Sequence, residues 1–242
     1  MTCCFPALRS ATLVAALVAV GCNGLVPPGN NGELNNGVFS YACDSDSDPA
    51  CDGTEPGTLG TIPTKIAVGG RFTLSYTPSP LGDDASGGST IVEPVSKTLL
   101  TQTETFGSTF KALKPGLCGV LARRGDVVAD FVHVRIGAID HLQIDASGTS
   151  SGDSEGIASL ELAEGDEVSL RAFAVDEADE MLAGALSASW SSSDEQVAAF
   201  DSLDTDNQVA LRALGAGSTT LRVELEDQSK EIEVTVAAGG VQ

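Results

Sequence analysis

Positive charge is scarce in this 242-residue chain: 13 lysines and arginines stand against 34 aspartates and glutamates, for a formal net charge of −21. A surface of that sign repels phosphate backbones and anionic headgroups, so nucleic acid is a poor partner. Histidine is almost missing. His133 and His141 are the two present. Neither has the spacing of a metal pair or a nucleophile beside it, so both read as surface residues. Aromatic residues make up 5% of the chain, as eight Phe, two Tyr and one Trp, which leaves little for a broad sugar-stacking platform. The cysteines contain no C-x-x-C pair, which removes a common zinc and thiol-redox signature. No metal or cofactor is expected. Apart from Ala11–Val20, no apolar run approaches the roughly 20 residues that a membrane-spanning helix needs. What remains still folds: hydrophobic residues supply 42% of the chain despite 27 glycines, enough for a core.

The start of the chain is laid out as a secretory signal. Arg9 supplies positive charge, Ala11–Val20 is short and apolar apart from Thr12, and Ala19-Val20-Gly21 leads into Cys22. Small residues before a cysteine resemble the lipobox of bacterial lipoproteins, although Ala19 stands where that family most often has leucine. The resemblance implies cleavage before Cys22 and a multiply acylated cysteine. Two or more chains hold firmly, at about 0.8 kcal/mol per buried methylene. The expected localisation is the cell envelope, lipid-anchored, with the membrane as one partner and the outer membrane the favoured site. Losing residues 1–21 removes one arginine and no acid, which takes −21 to −22.

Residues 22–36 are rich in Gly, Pro and Asn and read as a flexible tether. Beyond them, short β-branched runs alternate with turn clusters. In Glu231–Val236, Ile232, Val234 and Val236 point one way, and Glu231, Glu233 and Thr235 the other. Period two with one charged face marks an antiparallel strand covering a core. Glu177–Leu186 departs from this pattern; its composition predicts a loop with one helical turn.

Ile66–Tyr76 aligns with Leu162–Ala172 without a gap, and Ala112–Gly116 aligns with Ala213–Gly217. These separations are about the length of one β-sandwich domain. The fold class is therefore all-β: two tandem Ig-like sandwiches over 37–137 and 138–237, with a tail at 238–242. The short Gly137-Ala138 junction predicts restricted relative motion.

Four stretches of the second domain resemble the group-2 bacterial immunoglobulin-like domain of invasin- and intimin-type surface proteins. They are Leu162–Leu170, Ser189–Asp194 with Val197–Asp201, Ala213–Leu221, and Ile232–Val236. The first domain fits more loosely, since it lacks the tryptophan and inserts residues 43–64. The resemblance implies a structural, adhesive or protein-binding module with an unidentified protein or cell-surface partner. Trp190, the single tryptophan, sits where a large ring can bridge two sheets and is expected in the core.

Three cysteines follow Cys22. Cys43 and Cys51 are placed to close a small loop. Cys118, in an apolar strand, reads as a buried small hydrophobe, and a bond from it to either of the others stays open. Asp44, Asp46, Asp48 and Asp52 alternate as in calcium loops, but Pro49 stands where the turning glycine belongs and no distal glutamate follows. A solvated acidic loop is the expectation, with a calcium-binding module as the alternative. Gly148-Thr149-Ser150-Ser151-Gly152 matches the nucleophile elbow G-x-S-x-G, yet it lies in a Ser/Gly/Asp loop without the required strand and helix. No catalysis is expected. A third reading, an accessory subunit recruiting polysaccharide or an enzyme to the envelope, requires exposed aromatics on one face.

Overall fold

The computed structural model describes residues 29–43, 45–55, 57–79, 89–103, 108–147, 156–201 and 207–239. The expected signal over 1–21, Cys22, the Gly148–Gly152 elbow and the last three residues of the tail lie outside them.

Among the described residues all regular structure is β apart from a single 3₁₀ turn at Pro49–Cys51. The first sandwich contains β1 (Asn30–Asn31), β2 (Gly37–Ala42), β3 (Leu59–Gly60), β4 (Ile66–Ala67), β5 (Arg71–Pro78), β6 (Ile91–Pro94), β7 (Leu100–Gln102), β8 (Thr109–Ala112), β9 (Gly116–Arg124) and β10 (Val127–Gly137). The second contains β11 (His141–Ser147), β12 (Ser159–Ala163), β13 (Glu167–Val175), β14 (Ala188–Ser192), β15 (Ala198–Phe200), β16 (Gln208–Ala213), β17 (Gly217–Leu225) and β18 (Gln228–Ala237).

In the first, β2-β5-β8-β7 faces β4-β10-β9-β6; in the second, β11-β13-β16-β15 faces β12-β18-β17-β14. The two orders are the same, strand for strand. Each sandwich also opens its second sheet with a parallel pair, β4 on β10 and β12 on β18. The sequence repeat is thus a repeat of structure. Its turns coincide in detail: the Gly69 amide donates to Ala112 O at 2.8 Å, and the Gly165 amide to Ala213 O at 2.9 Å. These two glycines have φ of +84° and +94°, a region that side-chain-bearing residues avoid.

Alternation decides the core. In β18, Ile232, Val234 and Val236 are buried while Glu231, Glu233 and Thr235 are exposed. One cluster around Phe39, Tyr41, Leu74, Phe110 and Val134 fills the first sandwich, and one around Ile144, Leu170, Leu211, Leu221 and Val234 fills the second.

Three expectations are corrected. Residues 29–36 are not an unpacked tether. β1 pairs with β2, and the buried Asp130 carboxylate accepts from the amides of Leu34 at 2.9 Å and Asn36 at 2.8 Å. Those bonds satisfy a carboxylate that burial would otherwise penalise, which is why a Gly/Asn-rich stretch is held in place. Glu177–Leu186 contains no helical turn; a tight turn at 177–179, closed by the Asp179 amide on Asp176 O at 3.0 Å, is followed by a stretch in which Met181, Ala183 and Ala185 make β-bridges. Trp190 is only half-buried, packed on the edge of the core with its ring centroid 5.9 Å from that of Phe200.

Candidate functional site

The acidic loop after β2 lies between the two sandwiches. Cys43 and Cys51 are joined by a disulfide. Within the ring they close, the Ser47 amide donates to Ser45 Oγ at 3.2 Å, and the Ala50 amide to Asp48 Oδ1 at 3.0 Å. Asp48 caps the Pro49–Cys51 turn, with proline in the first turn, where its missing N–H costs nothing. A short sequence of serine, aspartate and proline therefore makes a compact knuckle.

That knuckle is gripped by the second sandwich. Asp48 is 3% exposed. Its Oδ2 accepts from the Tyr41 hydroxyl, and its Oδ1 accepts from the amide of Gly184 at 2.9 Å. The Arg171 guanidinium donates from Nη1 to Asp52 Oδ1 at 3.0 Å and from Nη2 to Asp46 O at 2.6 Å. It also lies 4.7 Å from the centre of the Phe173 ring. Asn207 Nδ2 donates to Ser47 O and to Ala172 O, both at 2.9 Å. One cation and one amide thus read the backbone of the loop, as charge-assisted bonds do where geometry must be fixed.

A second seam runs beside it. Ala67 N donates to Ala183 O at 2.8 Å, and Arg71 and Ala185 exchange backbone bonds of 2.9 and 2.8 Å. Leu182 enters the core of the second sandwich together with Ala67 from the first, while Ala183 joins the core of the first. The backbones come close at Gly70 and Gly184: a Cβ on Gly184 would sit 3.2 Å from Gly70 Cα, and its φ is +99°. Lys65 pairs with Asp176 and, at 2.8 Å, with Glu180. The Asp176 hydrogen bond holds the Lys65 ammonium above its usual pKa, and the same bond holds the Asp176 carboxyl below its own. An open cleft of about 420 Å³ lies at this junction, lined by Lys65, Leu117, Arg135, Ile139, Asp140 and Asp176 among others.

Two of the four aspartates considered for calcium have carboxylates that hold protein groups. Asp48 and Asp52 bind protein groups, Asp46 contributes its backbone carbonyl, and Asp44 lies outside the described residues. No group of three or more metal-ligating side chains occurs among the described residues. Cys118 is buried and free. His133 is exposed and faces Glu33 at 3.3 Å; His141 is exposed between Asp140 at 3.1 Å and Asp179 at 3.6 Å.

Arg171, Gly184 and Asn207 were not singled out from sequence. One signal was present. After Arg171, β13 loses its alternation, and Ala172, Phe173, Ala174 and Val175 are all buried. An apolar run on both faces of a strand means that a second surface covers it.

No protein-family model matches the sequence, and no curated protein matches it. Among solved structures, domains 4 and 5 of the S-layer protein SbsC align at 16% identity over 72% of this chain and 92% of that one, with a TM-score of 0.34. The Escherichia coli adhesin FdeC aligns at 16% identity over 74% and 62%, with 0.34. A glycosyl hydrolase family 2 member from Bacteroides cellulosilyticus aligns at 13% over 84% and 29%, with 0.33. The chain spans 26%, 27% and 29% of three longer SbsC structures.

Proposed function

We infer that the chain is a lipid-anchored protein of the bacterial cell envelope, held at the outer membrane through Cys22. Its two sandwiches, the second of group-2 immunoglobulin-like type, act as a non-catalytic structural, adhesive or protein-binding module. The observation that carries this reading is the junction. The side chains of Asp48, Asp176 and Asn207, all buried, together with Arg171 and Lys65, are spent on fixing one sandwich to the other. An enzyme concentrates perturbed groups in a cleft facing substrate; here Asp48 and Asn207 face the neighbouring module, and Lys65 and Asp176, at the edge of the junction cleft, are paired with each other. The signal-like start, the small residues before Cys22 and the acidic surface support the envelope location.

The test is fractionation of cells expressing the full chain and its Cys22→Ser variant, with mass analysis of the mature N-terminus. The native chain is expected in the membrane fraction with an acylated first residue, and the variant in the soluble fraction. An unmodified N-terminus, or equal membrane retention of both, overturns the anchor. Protease shaving of intact cells then separates a surface-facing from a periplasm-facing module.

A further inference from the structure

We propose that the outward face of the β4-β10-β9-β6 sheet is a self-association surface, on which a second copy of this chain docks. The second sandwich serves as an internal control. The two sandwiches share strand order and register, so outward positions correspond one to one. On the first, Leu121 sits between Phe131 and Glu93; on the second, the equivalent Arg222 sits between Glu231 and Ser191. Leu117 follows Gly116 as Ser218 follows Gly217. Ile91 pairs with Arg123 as Ser189 pairs with Glu224. The Val95 amide donates to Gly119 O at 2.8 Å as the Ser193 amide donates to Thr220 O at 2.9 Å. Five large apolar residues, Ile91, Val95, Leu117, Leu121 and Phe131, thus stand where the second sandwich has Ser, Ser, Ser, Arg and Glu. The fold does not require them there. Val95, Leu117 and Ile91 are 63%, 53% and 49% exposed, a cost that a lone module has no reason to carry.

The occupant follows from charge. Over most of its surface a chain with a formal charge of −21 repels its own copies. This face is the exception: it carries Arg123 and Arg135 against Glu33 and Glu93, so its charges balance, whereas the equivalent face of the second sandwich carries Arg222 against Glu161, Glu224, Glu231 and Glu233. Arg123 is already paired with Glu93 at 3.2 Å. β10 runs straight into the junction, so its strands lie along the chain's course and the face points sideways. A two-fold axis along the strands then brings the central Leu117 and Leu121 against their own counterparts and leaves both N-termini on the same side. Strands of two, four, nine and eleven residues, about 4.8 Å apart with about 3.3 Å per residue, give a footprint of roughly 410 Å² per copy. Stable pairs in solution bury about 800 Å² per partner, so pairing is weak in dilute solution and is strengthened when copies share a membrane. The pairing itself does not need the anchor.

The test is cross-linking of the full chain in the cells that make it. Leu117→Cys and Ser218→Cys are compared using a thiol reagent of about 10 Å span, the spacing of sheets packed face to face. Leu117→Cys is expected to give a band at twice the monomer mass, Ser218→Cys none. Adding Val95→Asp to Leu117→Cys places a carboxylate on the apolar face and should reduce that band about tenfold or more. Val95→Cys, with a longer reagent, reads the same face from a second position should Leu117→Cys itself weaken pairing. No dimer from either position, equal dimer from Ser218→Cys, or a product of another mass overturns the proposal. A dimer found in the soluble fraction overturns the anchor and leaves the pairing standing.

Discussion

Replacing Asp48 with alanine takes the side-chain acceptor away from the buried Gly184 amide and removes one partner of the buried Tyr41 hydroxyl. Leaving buried partners unsatisfied costs about 1–3 kcal/mol per group, more where a charge was involved, so Asp48→Ala should lose roughly 2–4 kcal/mol of unfolding free energy. Denaturant titration reads it as a lower midpoint at unchanged slope. Asp48→Asn keeps the shape but presents an NH₂ to one of these donors, and only the rotatable Tyr41 hydroxyl can adapt by accepting; the loss should be smaller. The same carboxylate predicts the response to calcium. Its Oδ1 accepts two amides, its Oδ2 accepts the Tyr41 hydroxyl, and Asp52 holds Arg171, so millimolar Ca²⁺ should leave the melting temperature unchanged. A rise would mean that the loop gives up Arg171 to take the cation. None of this was readable from the D-x-D-x-D spacing, because the deciding partner, Gly184, lies 136 residues away.

The strands themselves were legible, since period two in Arg71–Tyr76, Glu167–Leu170 and Glu231–Val236 is imposed locally by one buried face. Residues 177–186 were not. Their Glu, Ala, Met and Leu favour helix, but the backbone bonds of Ala183 and Ala185 go to Lys65, Ala67 and Arg71 on another sandwich, and such tertiary pairing overrides propensity. Residues 29–36 were misread for the same reason, their partner being Asp130. At the 177–186 segment, Leu182 is fully buried. Leu182→Ala should cost about 2–5 kcal/mol, measurable by calorimetry, and more than truncation of the half-exposed Met181 beside it. The flanking pair gives a pH signature. Asp176 has a lowered pKa, so its contribution is present above the ordinary value of 3.8 and is lost as pH falls through the depressed one. Lys65 has a raised pKa, so its contribution is present below 10.5 and is lost as pH rises through the elevated value. The stability difference between the native chain and Lys65→Met should be flat between these limits and vanish in stronger acid and stronger base. A difference that peaks near neutrality would point to another titrating group.

Acids outnumber bases by 34 to 13, so two sandwiches joined by a free hinge would push each other apart. That repulsion is long-ranged at low salt, with a screening length of about 30 Å at 0.01 M, and short at physiological salt, about 8 Å. A hinged pair would therefore open on dilution of salt and close on its return. The junction opposes this with a cross-linked loop bound by Arg171 and Asn207, backbone bonds through Ala67 and Arg71, and a leucine from one side shared with an alanine from the other. Small-angle scattering of the Cys22→Ser chain, extrapolated to zero concentration so that pairing drops out, should give the same radius of gyration at both salt levels. Asp48→Ala combined with Arg171→Ala removes the grip on the loop, and its radius should grow as salt is lowered. The same coupling should make the native chain melt as one unit, with a calorimetric-to-van't Hoff enthalpy ratio of about one, while the double variant moves toward two. Salt-dependent dimensions in the native chain, or two resolved melting steps, would mean that the sandwiches are tethered and not clamped, and the rigid spacing that the proposed surface role relies on would be lost.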